Sequence, residues 1–210
     1  MQEFILLGVL VATYLMVIAK RVPALMKSFQ YQSFFLSLMA LSSGFIEKHA
    51  DLYFIAFLIV VLKVFIIPRV LYRIAKKINV DENLGLFVNV QLSLVIALLL
   101  TYYSGTFAAI LGFKHNFISL AITVAFSVIF IGGFLMISRM KAFAQVVGLL
   151  VMENGIFLFA SSIYGGMPFF VEIAIFFDVF VSVIIMGLFV YRINKFFTHI
   201  DVGKLSRLKG

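Results

Sequence analysis

Apolar runs of about 18 to 25 residues recur along this chain, and each one, built as a helix, matches the roughly 30 Å hydrocarbon core of a bilayer. That repetition constrains the fold more than any motif does. Seven spans are read, at 4–19, 29–46, 52–68, 86–110, 116–138, 143–162 and 168–191, joined by short polar connections. Of the 210 residues 64% are hydrophobic and only 12% charged, with a mean hydropathy of +1.17. A soluble domain of this size has no use for so much apolar surface. The fold class is therefore all-α, a polytopic membrane protein with about seven transmembrane helices in a single membrane domain over 1–210. The first run follows Glu3 rather than a basic segment, so it is expected to be a retained span and not a cleaved signal.

The net charge of +8 invites a nucleic-acid reading, but the placement of the charges argues against one. Connections one, three and five and the C-terminal tail carry fourteen of the seventeen Lys and Arg residues; the opposite side carries Lys48 and Lys114. Basic residues accumulate on the cytoplasmic side of membrane proteins. The asymmetry predicts the N-terminus out and the C-terminus in. The excess charge is an orientation signal, and no nucleic-acid partner is expected. Past Pro68 the segment RVLYRIAKKI is expected to leave the membrane along its inner surface, with Pro68 as a kink site.

The chemistry sits inside the membrane. Glu153 and Asn154 lie at the centre of VVGLLVMENGIFLFASSI, and Asp178 lies at similar depth in the next run. A carboxylate at a helix centre costs roughly 2.5–3.5 kcal/mol on insertion scales, so two on consecutive helices need an explanation. Counting along the spans puts Glu153, Asp178 and Lys63 in one layer near the midplane, roughly 15 Å from either face. Ionisable groups held at that depth are the material of proton relays.

Other readings stand beside that one. Lys63 precedes Pro68 by five residues and can either snorkel to the inner headgroups or pair with Asp178 as a structural lock. Glu153 and Asn154 can act as an interhelical hydrogen-bonding pair. Gln145 and Glu172, near span ends, are either relay support or headgroup contacts. Gly148, Gly155, Gly132 and Gly133 are expected to allow close helix packing. The 26 phenylalanines are read mostly as lipid-facing surface. With no cysteine, and with His49, His115 and His199 all in connections or the tail, no metal or redox cofactor is expected in this chain. No P-loop, GxSxG, HExxH or dinucleotide fingerprint occurs, so no catalytic residues are assigned.

GLLVMENGIF and PFFVEIAIFFDVFVSVIIMG resemble the E component of hydrogenase-4-type complexes, a membrane subunit of formate-hydrogenlyase-like assemblies. That family is related to the K subunit of respiratory complex I and the C subunit of Mrp cation/proton antiporters. The resemblance is strongest over about 139–192 and extends to KSFQYQSFFLSLMAL and LKVFIIPRVLYRI. It implies a K-subunit-like three-helix unit at 115–195, with Asp178 as the third-helix acid. Gly148, Leu149, Met152 and Asn154 match the second-helix pattern. The family's second-helix glutamate falls at Leu150, whereas this chain carries Glu153 one turn on, along the same helix face. A degenerate three-helix repeat over 1–80 is a further hypothesis, since MKSFQYQSFFLSLM is similar to MKAFAQVVGLLVM.

The resemblance implies a multi-pass subunit of a prokaryotic cytoplasmic membrane, part of an energy-converting hydrogenase or complex I-related oxidoreductase. Its partners would be large antiporter-like subunits, other small membrane-arm subunits and a peripheral hydrogenase-like module. Nickel–iron and iron–sulfur centres would reside only in those partners, and the chain would catalyse nothing alone. Glu153, Asp178 and Lys63 would form the relay, supported by Asn154, Gln145 and Glu172. Two alternatives are a subunit of a redox-independent Mrp-type antiporter and a purely structural membrane-arm spacer.

Overall fold

A computed structural model describes residues 2–47, 50–77, 84–113 and 117–163. The seventh expected span, with Glu172 and Asp178, lies outside the described residues. Within them the chain is all-helical: α1 (Gln2–Ile18), α2 (Val22–Glu47), α3 (Ala50–Ile59), a π-helical stretch (Val60–Ile66), α4 (Ile67–Lys77), α5 (Val90–Ile110), α6 (Phe117–Ser138) and α7 (Ala142–Ile163). Four helical stretches are long and apolar enough to cross a membrane: Leu52–Arg73, Val90–Ile110, Phe117–Ser138 and Phe143–Ser162. The shorter α1 is also apolar. Helix α2 is the longest at 26 residues but is more polar, because Lys27, Gln30, Gln32 and several serines interrupt its apolar run.

Apart from α4, whose basic residues give it a polar face, the helices are apolar nearly all round, the pattern of segments that face hydrocarbon on one side and protein on the other. Phe4, Phe45, Phe54, Phe57, Leu98, Leu99 and Ile137 are exposed on the outside of the bundle. Several small, polar and charged residues turn inward, among them Thr13, Gln32, Ser33, Lys63, Ser127 and Asn154. Phenylalanine is not only surface, however: Phe29 and Phe143 are buried. Phe126 on α6 packs against Phe107 of α5 and Phe159 of α7, with ring centroids 5.0 and 4.9 Å apart.

Helices α6 and α7 form the most extensive pairing in the bundle, followed by α1 with α2. The α6–α7 crossing depends on glycine. A Cβ at Gly132 would come within 2.6 Å of the Met152 nitrogen, and one at Gly148 within 2.9 Å of the Gly132 carbonyl. Backbones this close are characteristic of small-residue contacts between membrane helices. Gly155 contributes a third approach, against Ile129 and the Ala125 carbonyl. At Gly133 no described atom lies within 4 Å of where a Cβ would stand.

The segment past Pro68 is helical, as RVLYRIAKKI led us to expect. Helical structure runs from Ala50 through Lys77, and the perturbation appears ahead of the proline as the π stretch. An α-type donor for the Val64 carbonyl would be residue 68, which as proline has no N–H. Gln30 Nε2 donates to that carbonyl instead, at 2.9 Å.

One end of the bundle is stitched by backbone bonds between connections. Leu84 N–H donates to Lys20 O at 3.0 Å, Phe87 N–H to Ser138 O at 3.1 Å and Met140 N–H to Gly85 O at 3.3 Å. Gly85 has φ of +61°, a left-handed conformation that glycine adopts without strain, with Met140 directly above it. The first, third and fifth connections, the three rich in basic residues, therefore meet at one end.

Candidate functional site

Lys63 is placed by an inversion of ordinary membrane chemistry. In the π stretch its apolar neighbours are partly or well exposed, and the lysine alone is buried, with 1% of its surface accessible. A π turn accommodates an extra residue and re-aims the side chains around it; such turns are rare and concentrate at functional sites. Lys63 lies eleven residues after Leu52 and ten before Arg73, at the centre of its span. The ammonium points inward and donates to Asn154 Oδ1 at 2.8 Å.

From that bond a polar seam crosses four helical elements. Asn154 Nδ2 on α7 donates to Gln32 Oε1 on α2 at 2.9 Å, with Ser33 Oγ 3.4 Å away. Gln32 Nε2 donates to Thr13 Oγ1 on α1 at 2.7 Å, and the Thr13 hydroxyl donates to the Val9 carbonyl at 2.8 Å. Chemistry fixes the orientation of both amides. A lysine ammonium has donors and no acceptor, so Asn154 must present its oxygen to it. Its NH2 then faces Gln32, whose own NH2 must face the threonine. Every donor in the chain points away from Lys63.

Glu153 is buried beside Asn154 with 3% of its surface accessible, ten residues after Phe143 and nine before Ser162. Asn154, the next residue, is the one that accepts from Lys63. Leu150, where the resemblance puts an acid, is also buried, so both positions on α7 turn into the protein. Gln145 belongs elsewhere: its Nε2 donates to the Arg139 carbonyl at 3.1 Å, about two and a half turns along α7 from Asn154. Among the described residues no group of three or more His, Cys, Asp or Glu could hold a metal ion.

Several residues of the seam were missed by the reading of charges alone. Gln32, Ser33 and Thr13 are uncharged, and the signal for them was the pair of glutamines in QYQS, in an otherwise apolar run. Two residues apart, Gln30 and Gln32 are turned about 200° from one another, which is why they reach different partners. Arg139 was read only as an orientation charge, yet it is 1% exposed. Its guanidinium donates to the carbonyls of Met16, Val17 and Ala19 at 2.8–2.9 Å, groups that the end of α1 leaves without helical partners. Burial pushes its pKa down to about 10, which leaves it charged near neutral pH, where a cation also suits the C-terminal pole of a helix.

Comparison with known proteins gives kinship without an activity. Uncharacterized protein Rv0085 of Mycobacterium tuberculosis is 26% identical over 205 residues, spanning 96% of this chain and 93% of that protein. No family model matches the chain, and no solved structure matches it.

Proposed function

We propose that this protein is an integral membrane subunit of an energy-converting, hydrogenase-4-like or complex I-related oxidoreductase, in which buried charges carry protons (or sodium ions) coupled to redox chemistry elsewhere. The observation that carries this reading is a buried lysine ammonium at mid-span, 2.8 Å from Asn154, whose neighbour in sequence is the buried Glu153. A charge at that depth is expensive, and the π stretch that turns Lys63 inward adds further cost. Asp178, the third relay group expected from the resemblance, belongs to the same proposal. The chain sits in a prokaryotic cytoplasmic membrane with seven spans, its N-terminus outside and its basic connections inside. It holds no redox centre itself; the large antiporter-like subunits and the hydrogenase-like module are its partners.

One observation favours a second reading, the structural spacer. Asn154 and Gln32 are amides, which satisfy neighbours well but neither take up nor release protons at ordinary pH, so the seam beyond Lys63 has the chemistry of a lock.

Neutral isosteres separate the two. Glu153→Gln, alone and with Asp178→Asn, should leave the complex assembled while ion uptake into sealed vesicles falls by about 10²-fold, the lower range of what a positioned proton-transfer group contributes. Undiminished uptake by the assembled double variant would overturn the relay and leave the spacer.

A further inference from the structure

A cleft of about 360 Å³ opens between the first turns of α2 and the π–α4 junction, lined by Lys27, Gln30, Pro68, Arg69, Tyr72 and Arg73 among others. Three of these are cations, and among the described residues no Asp or Glu lines the cleft. Lys27, Arg69 and Arg73 are exposed, and the Arg69 guanidinium rests over the Phe65 ring at 5.0 Å from its centroid. Like charges gathered in a cleft repel each other, and an anion relieves that repulsion. We infer that this cleft binds a phosphate group, presented by the headgroup of an anionic phospholipid.

Two features favour a lipid over a free phosphate. The cleft lies at the end of the bundle where the basic connections meet, since α2 begins at Val22, beside the Lys20–Leu84 bond. It also adjoins hydrocarbon-facing surface: Phe65 and Ile66, immediately ahead of Arg69 and Pro68, are 44% and 42% exposed. A headgroup seated among the cations would lay its acyl chains along those two residues. Arginine forks suit phosphate oxygens in bidentate contact, Lys27 adds a point charge, and basic pockets between membrane helices are known to take anionic headgroups. The cleft is a different site from the Lys63 seam and depends only on membrane embedding. Gln30 nevertheless belongs to its wall while donating to the Val64 carbonyl, so an occupant would touch the element that positions Lys63.

The test uses the full-length chain in phosphatidylcholine nanodiscs, with phosphatidylglycerol added in increasing proportion. The thermal midpoint of the wild type should rise saturably, by about 2–4 °C. Lys27→Gln with Arg73→Gln should abolish the rise relative to its own phosphatidylcholine baseline, and Lys27→Arg with Arg73→Lys should retain it. If the double variant is not recovered, Lys27→Gln alone should raise the phosphatidylglycerol needed for half the effect about fivefold. A flat wild-type titration, or an equal rise in the charge-neutral variants, would overturn the site. Inorganic phosphate reproducing the full rise in phosphatidylcholine discs would overturn the lipid assignment in favour of free phosphate.

Discussion

The contact between Lys63 and Asn154 joins a buried charge to a neutral amide. A hydrogen bond to a charged group is worth about 1.5–3 kcal/mol, and more is lost when a buried charge is stripped of an acceptor than when both partners go together. Asn154→Leu should therefore destabilise the protein by about 2–3 kcal/mol. Combining it with Lys63→Met should cost less than the sum of the single changes, by about 0.5–3 kcal/mol of coupling. Denaturant titration of the four proteins in one detergent measures this, and strictly additive effects would mean that the contact contributes nothing. At this scale the sequence is legible in proportion to rarity. Lys63 and Glu153 stand out because ionisable residues in apolar runs are costly and need a reason. Thr13 does not stand out, because a threonine in a membrane helix can satisfy itself on its own backbone, as the bond to Val9 shows. Its second bond, from Gln32, depends on which helix packs beside it, and no local pattern carries that information.

Helices show the same division. Where they lie follows from hydropathy, and five of the six expected spans within the described residues correspond to apolar helices of the structure, with α2 the more polar exception. How they pack is less visible. Gly132, Gly133, Gly148 and Gly155 look alike in sequence, yet among the described residues only three of them closely approach another backbone or side chain. The difference is rotational: consecutive glycines point about 100° apart, and only one of the pair on α6 can face α7. Gly148→Val should therefore break the α6–α7 crossing, at a cost of about 1–3 kcal/mol or more from overpacking. Gly133→Ala should be neutral or stabilising by up to about 1 kcal/mol, since alanine is the better helix former and no described atom lies within 4 Å of its methyl. Unfolding midpoints of the two variants test this, and equal destabilisation would refute the assigned helix faces. The π stretch was invisible for a different reason. Pro68 announces a missing donor, but whether the chain kinks, breaks or widens depends on whether something else reaches the Val64 carbonyl, and here Gln30 does.

At the scale of the whole molecule, charge asymmetry and backbone contacts come from independent sources and agree. The counting of Lys and Arg puts connections one, three and five on one side. The bonds joining Leu84 to Lys20 and Phe87 to Ser138 bring residues of those same connections together without reference to charge. Leu111, after α5, then belongs to the opposite end, because α5 begins near the stitched connections and α6 returns to them at Ser138. What the contacts leave open is which end faces the cytoplasm, and the proposed orientation rests there on the basic residues and the positive-inside rule. The chain has no cysteine, so a single introduced thiol reports its own side without background. Lys20→Cys and Leu111→Cys replace exposed side chains at the two ends. In intact cells a membrane-impermeant maleimide should label Leu111→Cys, and should reach Lys20→Cys only after permeabilisation. The reverse pattern would invert the orientation and put the cationic cleft on the outer leaflet. Labelling of both from one side would break the alternation of spans on which the midplane positions of Lys63 and Glu153 depend.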